Sequence, residues 1–171
     1  MHLAQDINRV AKLTGHFTLR SGQVSDTYFD KYRFEADPHL LGRICAAVAK
    51  RIPTDVEVLA GLELGGIPLV TLLSHITGLP AAFLRKEAKP YGTCRYAEGA
   101  DLPGRRVLLI EDVVSSGGAI LEAARKLRAD GIPIDTALCV IDRETGGAAF
   151  LAAAGIRLIS LYRMRQITSA T

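Results

Sequence analysis

Positions 107–110 are Val-Leu-Leu-Ile, an unbroken apolar run, and the next two residues are the carboxylates Glu111 and Asp112. Val113 and Val114 are apolar again, and Ser115, Ser116, Gly117 and Gly118 follow. From Ala119 the period changes, because Ile120, Ala124 and Leu127 fall at the i, i+4, i+7 spacing of a helix face. The pattern predicts a strand, a turn of small residues and a helix. The same unit recurs upstream, with a buried strand over 56–60, the turn GLELGG and a helix over 67–77. Further strands are predicted over 80–84, 134–141 and 156–162, with a small-residue helix over 148–154.

The amino-terminal part reads differently. Leu3, Ile7, Val10 and Ala11 share one face of a short amphipathic helix, expected to end at Gly15. Phe17 and Leu19 then alternate with polar neighbours, Ser21-Gly22 reads as a turn, and Tyr28-Phe29 starts a second extended piece. A hairpin-like cap is therefore expected. Asp37 suits an N-cap and Pro38 a first helical position, ahead of an apolar face of Leu40, Leu41, Ile44, Val48 and Ile52. Asp130-Gly131 stops the helix that follows the central turn, and the polar tail RMRQITSAT is expected to fray.

Strands alternate with helices, which predicts an α/β fold: an open, mostly parallel sheet with helices on both faces. Ligands in such folds sit at the carboxyl ends of the strands. At 171 residues the chain is long enough for one domain with a proper core, and 49% hydrophobic against 23% charged residues excludes a disordered chain. The net charge of +3 suits a polyanionic small molecule, and without a Lys/Arg run no nucleic-acid partner is expected. Cys45, Cys94 and Cys139 have neither zinc nor disulfide spacing. No signal-peptide core or membrane-length apolar run is present, so no membrane contact and a cytoplasmic location are expected.

A helix start behind a strand leaves backbone N–H groups without intrahelical partners, and its dipole favours an anion. Glycines allow close approach and serines add donors, so Ser115 to Ala119 suit a phosphate. Glu111 and Asp112 are unsuited to phosphate but suit sugar hydroxyls or magnesium. Together they describe a ribose 5-phosphate site. The alternative is a βα corner with solvated acids. The turn is neither a Walker loop nor GxGxxG. About twenty residues, 85–104, lack periodicity, and a loop of that length is often functional. It opens with Arg85, Lys86 and Lys89, which otherwise read as a solvated basic face. Core packing is the alternative for Tyr28 and Phe29, and an exposed strand end for Arg143.

EDVVSSGGA resembles the phosphoribosyl-pyrophosphate signature of the type I phosphoribosyltransferases. FTLRSG with YFD, GLELGG, RKEAK with YGT, and DRET narrow the resemblance to the orotate phosphoribosyltransferases, over roughly 17–162. The resemblance implies that Glu111 and Asp112 hold the ribose hydroxyls and that Val113, Val114, Ser115, Ser116, Gly117, Gly118 and Ala119 wrap the 5-phosphate. Backbone N–H groups of Leu64, Gly65 and Gly66 would take the pyrophosphate, although the lysine some members carry would fall at Gly65. Arg85, Lys86 and Lys89, with Asp112, would be the catalytic residues, on a mobile loop over 85–104 that reaches a neighbouring subunit's site. Tyr91 stands where many members have histidine.

Tyr28 and Phe29 would pack near the pyrimidine in a hood over 1–35, where Arg20 replaces a lysine common in bacterial members, and Arg143 would bind orotate. The resemblance implies a homodimer that makes orotidine 5'-monophosphate and pyrophosphate from orotate and phosphoribosyl pyrophosphate. Magnesium would be held by the diphosphate and ribose hydroxyls rather than by protein ligands. The alternatives are a transferase for another nucleobase and a non-catalytic regulator that binds the same donor.

Overall fold

The computed structural model describes residues 2–18, 22–87 and 96–170. Helix α1 (Leu3–Ala11) leads directly into strand β1 (Lys12–Thr18), which pairs antiparallel with β2 (Val24–Phe29). The helix thus stops before Gly15, which lies inside β1 where the register slips between Thr14 and Phe17. A glycine fits this bulge because a β-carbon there would come 3.1 Å from the Phe17 ring. Helix α2 (Lys31–Ala36) follows, an element the pattern did not predict, capped by the Asp30 carboxylate on the Tyr32 N–H at 3.1 Å. Helix α3 (Pro38–Ala49) starts as expected, with the Asp37 carboxylate accepting from His39 and Leu40 at 3.0 Å.

The α/β body then runs β3 (Val58–Leu62), α4 (Gly66–Thr77), β4 (Ala81–Leu84), β5 (Ala97–Gly99) and β6 (Val107–Val114). It continues through α5 (Gly118–Ala129), β7 (Thr136–Asp142), α6 (Gly147–Ala153), β8 (Arg157–Arg163) and α7 (Met164–Thr168). Two expectations are corrected. Part of the 85–104 stretch is strand, since β5 pairs antiparallel with β4. The described part of the tail does not fray: α7 buries Ile167 completely, and Arg165 pairs with Glu144 at 3.3 Å.

The six-stranded sheet has the order β5-β4-β3-β6-β7-β8, parallel throughout except for β5. Alternating residues face opposite sides, and both sides are covered. Leu109 packs with Ile120, Leu127 and Leu151 of α5 and α6. Leu108 and Ile110 pack with Ile7, Ile44 and Leu69 of α1, α3 and α4. Burial on both faces is why the central strands read as continuous apolar runs. Cys45 and Cys139 are fully buried in this core, and burial pushes the Cys45 thiol up to about 12. Among the described residues no helix is long and apolar enough to cross a membrane.

The strand order fixes where a ligand can enter. From β3 the chain crosses to β4 on one side, and from β6 it crosses to β7 on the other. β3 and β6 are neighbours, so the turns at their carboxyl ends diverge and leave a crevice between them.

Candidate active site

Both acids lie within β6, not beyond it, and both are buried: Glu111 is 9% exposed and Asp112 0%. Asp112 lies against the α4 side of the sheet. A β-carbon at Gly65 would overlap its carboxylate, so the first glycine of the GG pair makes room for the acid. That steric limit explains why no side chain stands at this point of the turn. On its other side Asp112 meets Lys31 of α2, whose Nζ lies 3.0 Å from Oδ1 and 2.7 Å from Oδ2. The Val113 N–H also donates to Asp112 Oδ1, at 2.6 Å.

Glu35 stands one helical turn beyond Lys31 and is 8% exposed. Like Glu111, it interacts with the Asp112 carboxylate. Burial, then hydrogen bonding to Asp112 and its charge, pushes Glu35 and Glu111 each up to about 9. Burial works to raise Asp112 too, but hydrogen bonds from Glu35, Glu111 and Lys31 outweigh it and hold Asp112 below its ordinary value. For Lys31 burial works downward, and the hydrogen bond and charge of Asp112 reverse that, leaving the ammonium above its ordinary value. At neutral pH the cluster is one ion pair flanked by two protonated acids.

The turn after β6 exposes Ser115, Ser116, Gly118 and Ala119 at the start of α5. Gly117 caps that helix at φ +78°, and a β-carbon there would press on Leu151 and the Gly147 carbonyl. Gly147 in turn has no room for a side chain beside the Ser115 carbonyl. The Gly-Gly of DRETGG thus packs the anion turn against α6. The turn after β3 leaves Leu64 exposed and starts α4 at Gly66, with the Ile67 N–H bonded to the Leu64 carbonyl at 3.1 Å, so a second helix start follows the strand beside β6.

Beside it lies a cavity of about 510 Å³ lined by Leu62, Glu63, Arg85, Lys86, Tyr96 and Lys126, among others. Its rim is tied down. The Arg85 N–H donates to the Tyr96 carbonyl at 3.0 Å. Lys126 donates to the Lys86 carbonyl at 2.7 Å and lies 4.6 Å from the Tyr96 ring centre. Lys89 and Tyr91 lie outside the described residues, as does Arg20.

Arg143 is exposed at the end of β7, its N–H bonded to the Val114 carbonyl at 2.8 Å. Strand alternation splits the aromatic pair. Tyr28 is 45% exposed with its ring 5.6 Å from Phe17, whereas Phe29 turns inward with its ring 6.5 Å from the buried Phe34. Both turns, Arg85 and Lys86 therefore lie at the carboxyl ends of adjacent strands, with the acid pair buried near the end of β6. Sequence reasoning missed Lys31, Glu35 and Lys126. For the first two a signal existed: Asp30 as a cap, then a lysine and a glutamate four apart.

Among the described residues no set of three or more His, Cys, Asp or Glu side chains is arranged to hold a metal. The converging carboxyls do not form a cation cage, because the Lys31 ammonium sits on both Asp112 oxygens.

A family model described as a phosphoribosyl transferase domain matches residues 36–148. An orotate phosphoribosyltransferase from Nocardioides sp. is 49% identical over 168 residues, covering 98% of this chain and 94% of that one. One from Halobacterium salinarum is 40% identical, covering 91% of this chain and 89% of that one. The chain belongs to the orotate phosphoribosyltransferase family. A solved structure of the Mycobacterium tuberculosis orotate phosphoribosyltransferase with Fe(III) dicitrate superposes with a TM-score of 0.88 at 31% identity, over 96% of each chain. The same enzyme in complex with 5-phospho-alpha-D-ribosyl 1-diphosphate gives 0.83 at 27% identity, over 97% of this chain and 96% of that one. Within the phosphoribosyltransferase match fall the acid pair and both turns; α2, with Lys31 and Glu35, lies ahead of it apart from its last residue.

Proposed function

We propose that the protein transfers the 5-phosphoribosyl group from phosphoribosyl pyrophosphate to orotate, giving orotidine 5'-monophosphate and pyrophosphate, a step of pyrimidine biosynthesis. One observation carries the reading: two strand–turn–helix units on neighbouring strands border one crevice, and one of them carries an acid pair. The names and extent of the relatives support the choice of base.

In this reading Glu111 and Asp112 address the ribose hydroxyls, and 113–119 take the 5-phosphate. N–H groups of Leu64, Gly65 and Gly66 take the diphosphate. The bond from the ribose anomeric carbon to the diphosphate oxygen breaks with its electrons on the diphosphate, and an orotate nitrogen bonds to the carbon. The ribose passes through an oxocarbenium-like state, as in other glycosyl transfers. Arg85, Lys86 and Lys89, helped by the Tyr91 hydroxyl, stabilise the leaving charge. Arg143, Arg20 and Tyr28 orient orotate beneath the 1–35 hood, with Phe29 packed behind them on Phe34. Magnesium, when bound, would supply further charge neutralisation at the diphosphate. Closure of the part of the 85–104 loop that precedes β5 keeps out water that would hydrolyse the donor.

The active form is a homodimer whose loops serve the neighbour's site, in the cytoplasm. Mixing Lys89→Ala and Asp112→Asn subunits then restores activity through hybrid sites; no recovery on mixing rejects the shared loop. The main test is pyrophosphate release from the donor with orotate, uracil, hypoxanthine or adenine. Release with orotate alone is expected. Release with none of the four overturns the enzyme reading, and release with another base instead overturns the substrate.

A further inference from the structure

We propose that Lys31 is a positioning residue for the transfer reaction, clamping Asp112 in place for the ribose end of the donor without itself contacting substrate. The inference rests on the donor reading above. Asp112 is enclosed by three elements. The Gly65 backbone closes one side so tightly that no side chain fits between. The Val113 N–H holds Oδ1 from within β6. Lys31 closes the third side, 3.0 Å and 2.7 Å from the two carboxylate oxygens. The lysine side chain is 32% exposed while that of Asp112 is fully buried, so the pair joins a half-buried cation to a carboxylate kept from water.

The clamp also decides which carboxyl carries the charge. Glu35, Glu111 and Asp112 act on one another, Lys31 is the one cation among the described residues that acts on all three, and three buried carboxylates around one ammonium would leave two negative charges unpaired. Only Asp112 has the ammonium on both oxygens, so it keeps the charge and the glutamates keep their protons. Glu35 of α2 and Glu111 of β6 act on Asp112, Glu111 and Tyr32 act on Lys31, and Asp30 acts on Glu35. Without Lys31, Asp112 loses the cation that sets it apart from Glu111, and only the Val113 N–H and the neighbouring glutamates still favour its charge. The donor's hydroxyls would then meet a carboxyl held less firmly in rotamer and charge. Lys31 is a point cation on a flexible stem, so an arginine of equal charge can take over much of this task.

The test compares the parent, Lys31→Met, Lys31→Arg, Asp112→Asn and the Lys31→Met/Asp112→Asn pair. Affinities for ribose 5-phosphate and for inorganic pyrophosphate are measured by calorimetry, beside kcat and KM for the donor. Lys31→Met is expected to weaken ribose 5-phosphate binding and lower kcat/KM by about 30-fold or more, because it strands a buried charge. Pyrophosphate affinity should stay within about twofold, since its turn lies on the far side of Asp112. Lys31→Arg should recover most of the loss, and in the Asp112→Asn background Lys31→Met should add less than about threefold.

Equal weakening of both ligands, full additivity in the pair, or parent-like ribose 5-phosphate affinity in Lys31→Met each overturns the proposal. Should Lys31→Met fail to fold, Lys31→Gln takes its place under the same criteria. A parent that releases no pyrophosphate with any base removes the reaction assigned above. The ratio of ribose 5-phosphate affinities then still decides the role of Lys31.

Discussion

The two ends of the central sheet carry the same kinds of charged residue in opposite conditions. At the amino ends of the strands Arg106 reaches Asp55 at 2.6 Å and Asp135 at 3.7 Å, beside a cavity of about 280 Å³. All three side chains are more than half exposed, at 57%, 55% and 62%. At the carboxyl ends Lys31 meets Asp112, with Glu35 and Glu111 pressed against the pair, and every one of these acids is buried. Water screens the first cluster, so its pairs contribute about 0–1 kcal/mol each. Removing a partner from the second strands a charge away from water, at a cost of about 3–5 kcal/mol. A cavity alone does not separate the two ends, because both have one. What separates them is a carboxyl cluster that the fold keeps dry and only partly compensated, which a packed apolar corner would avoid.

The largest expected effect is at the buried end. Asp112→Asn removes the charge that answers Lys31 and the charge-assisted contacts that the ribose hydroxyls would make. Loss of one such contact amounts to ~1.5–3 kcal/mol, so kcat/KM should fall roughly ten- to hundredfold. The fold should persist, because an amide fills the same space beside Gly65 and two neighbouring acids are relieved of a negative charge. Circular dichroism and steady-state kinetics on one preparation check both halves. Near-parent turnover would show that the buried cluster is no more functional than the exposed one.

The comparison also marks what the sequence could reveal. The alternation of strands and helices was legible because parallel strands buried on both faces leave unbroken apolar runs, as at 107–110. The anion turn was legible because its chemistry is local: acids, serines, glycines and a helix start lie within a dozen positions. Lys31 was not legible as a site residue because its partner lies 81 positions away, and only the docking of α2 joins them. Helix α2 itself spans 6 residues, too few for a period to register. The tail misled in the opposite direction. Its composition is mostly polar, but Ile167 is fully buried, Met164 and Ala170 pack against the same core, and Arg165 fastens the turn that carries Arg143. A few well-placed apolar residues outweighed the polarity of their neighbours.

A medium effect, visible only through pH, should come from Glu35. Its folded-state value is raised from an ordinary 4.5 to about 9 by burial and by Asp112, so the native protein holds a proton that the unfolded chain has released. Stability from this source is complete below about pH 4.5 and is lost progressively as pH climbs towards about 9. Glu35→Gln cannot ionise and should lack that slope. Glu111 is shifted the same way, so the substitution should flatten the pH dependence of the unprimed protein without abolishing it. Thermal unfolding without ligand at pH 5, 7 and 9 measures this, with the variant gaining on the parent as pH rises. Parallel curves would mean that Glu35 is not protonated in the native cluster.

The smallest effect is expected at the other end of the sheet. Arg106→Ala deletes both exposed ion pairs but keeps the Arg106 N–H, which donates to Glu57 Oε2 at 2.9 Å, so the start of β6 stays anchored. The loss in stability should be about 0–1 kcal/mol and should shrink further in molar salt, where the screening length falls to about 3 Å. Transfer activity should be unchanged, because the guanidinium sits at the opposite end of β6 from the acid pair. Chemical denaturation at low and high salt, with kinetics alongside, checks both points. A salt-independent loss of several kcal/mol would show that this end is also a desolvated cluster. The contrast between the two ends would then rest on position in the sheet and no longer on burial.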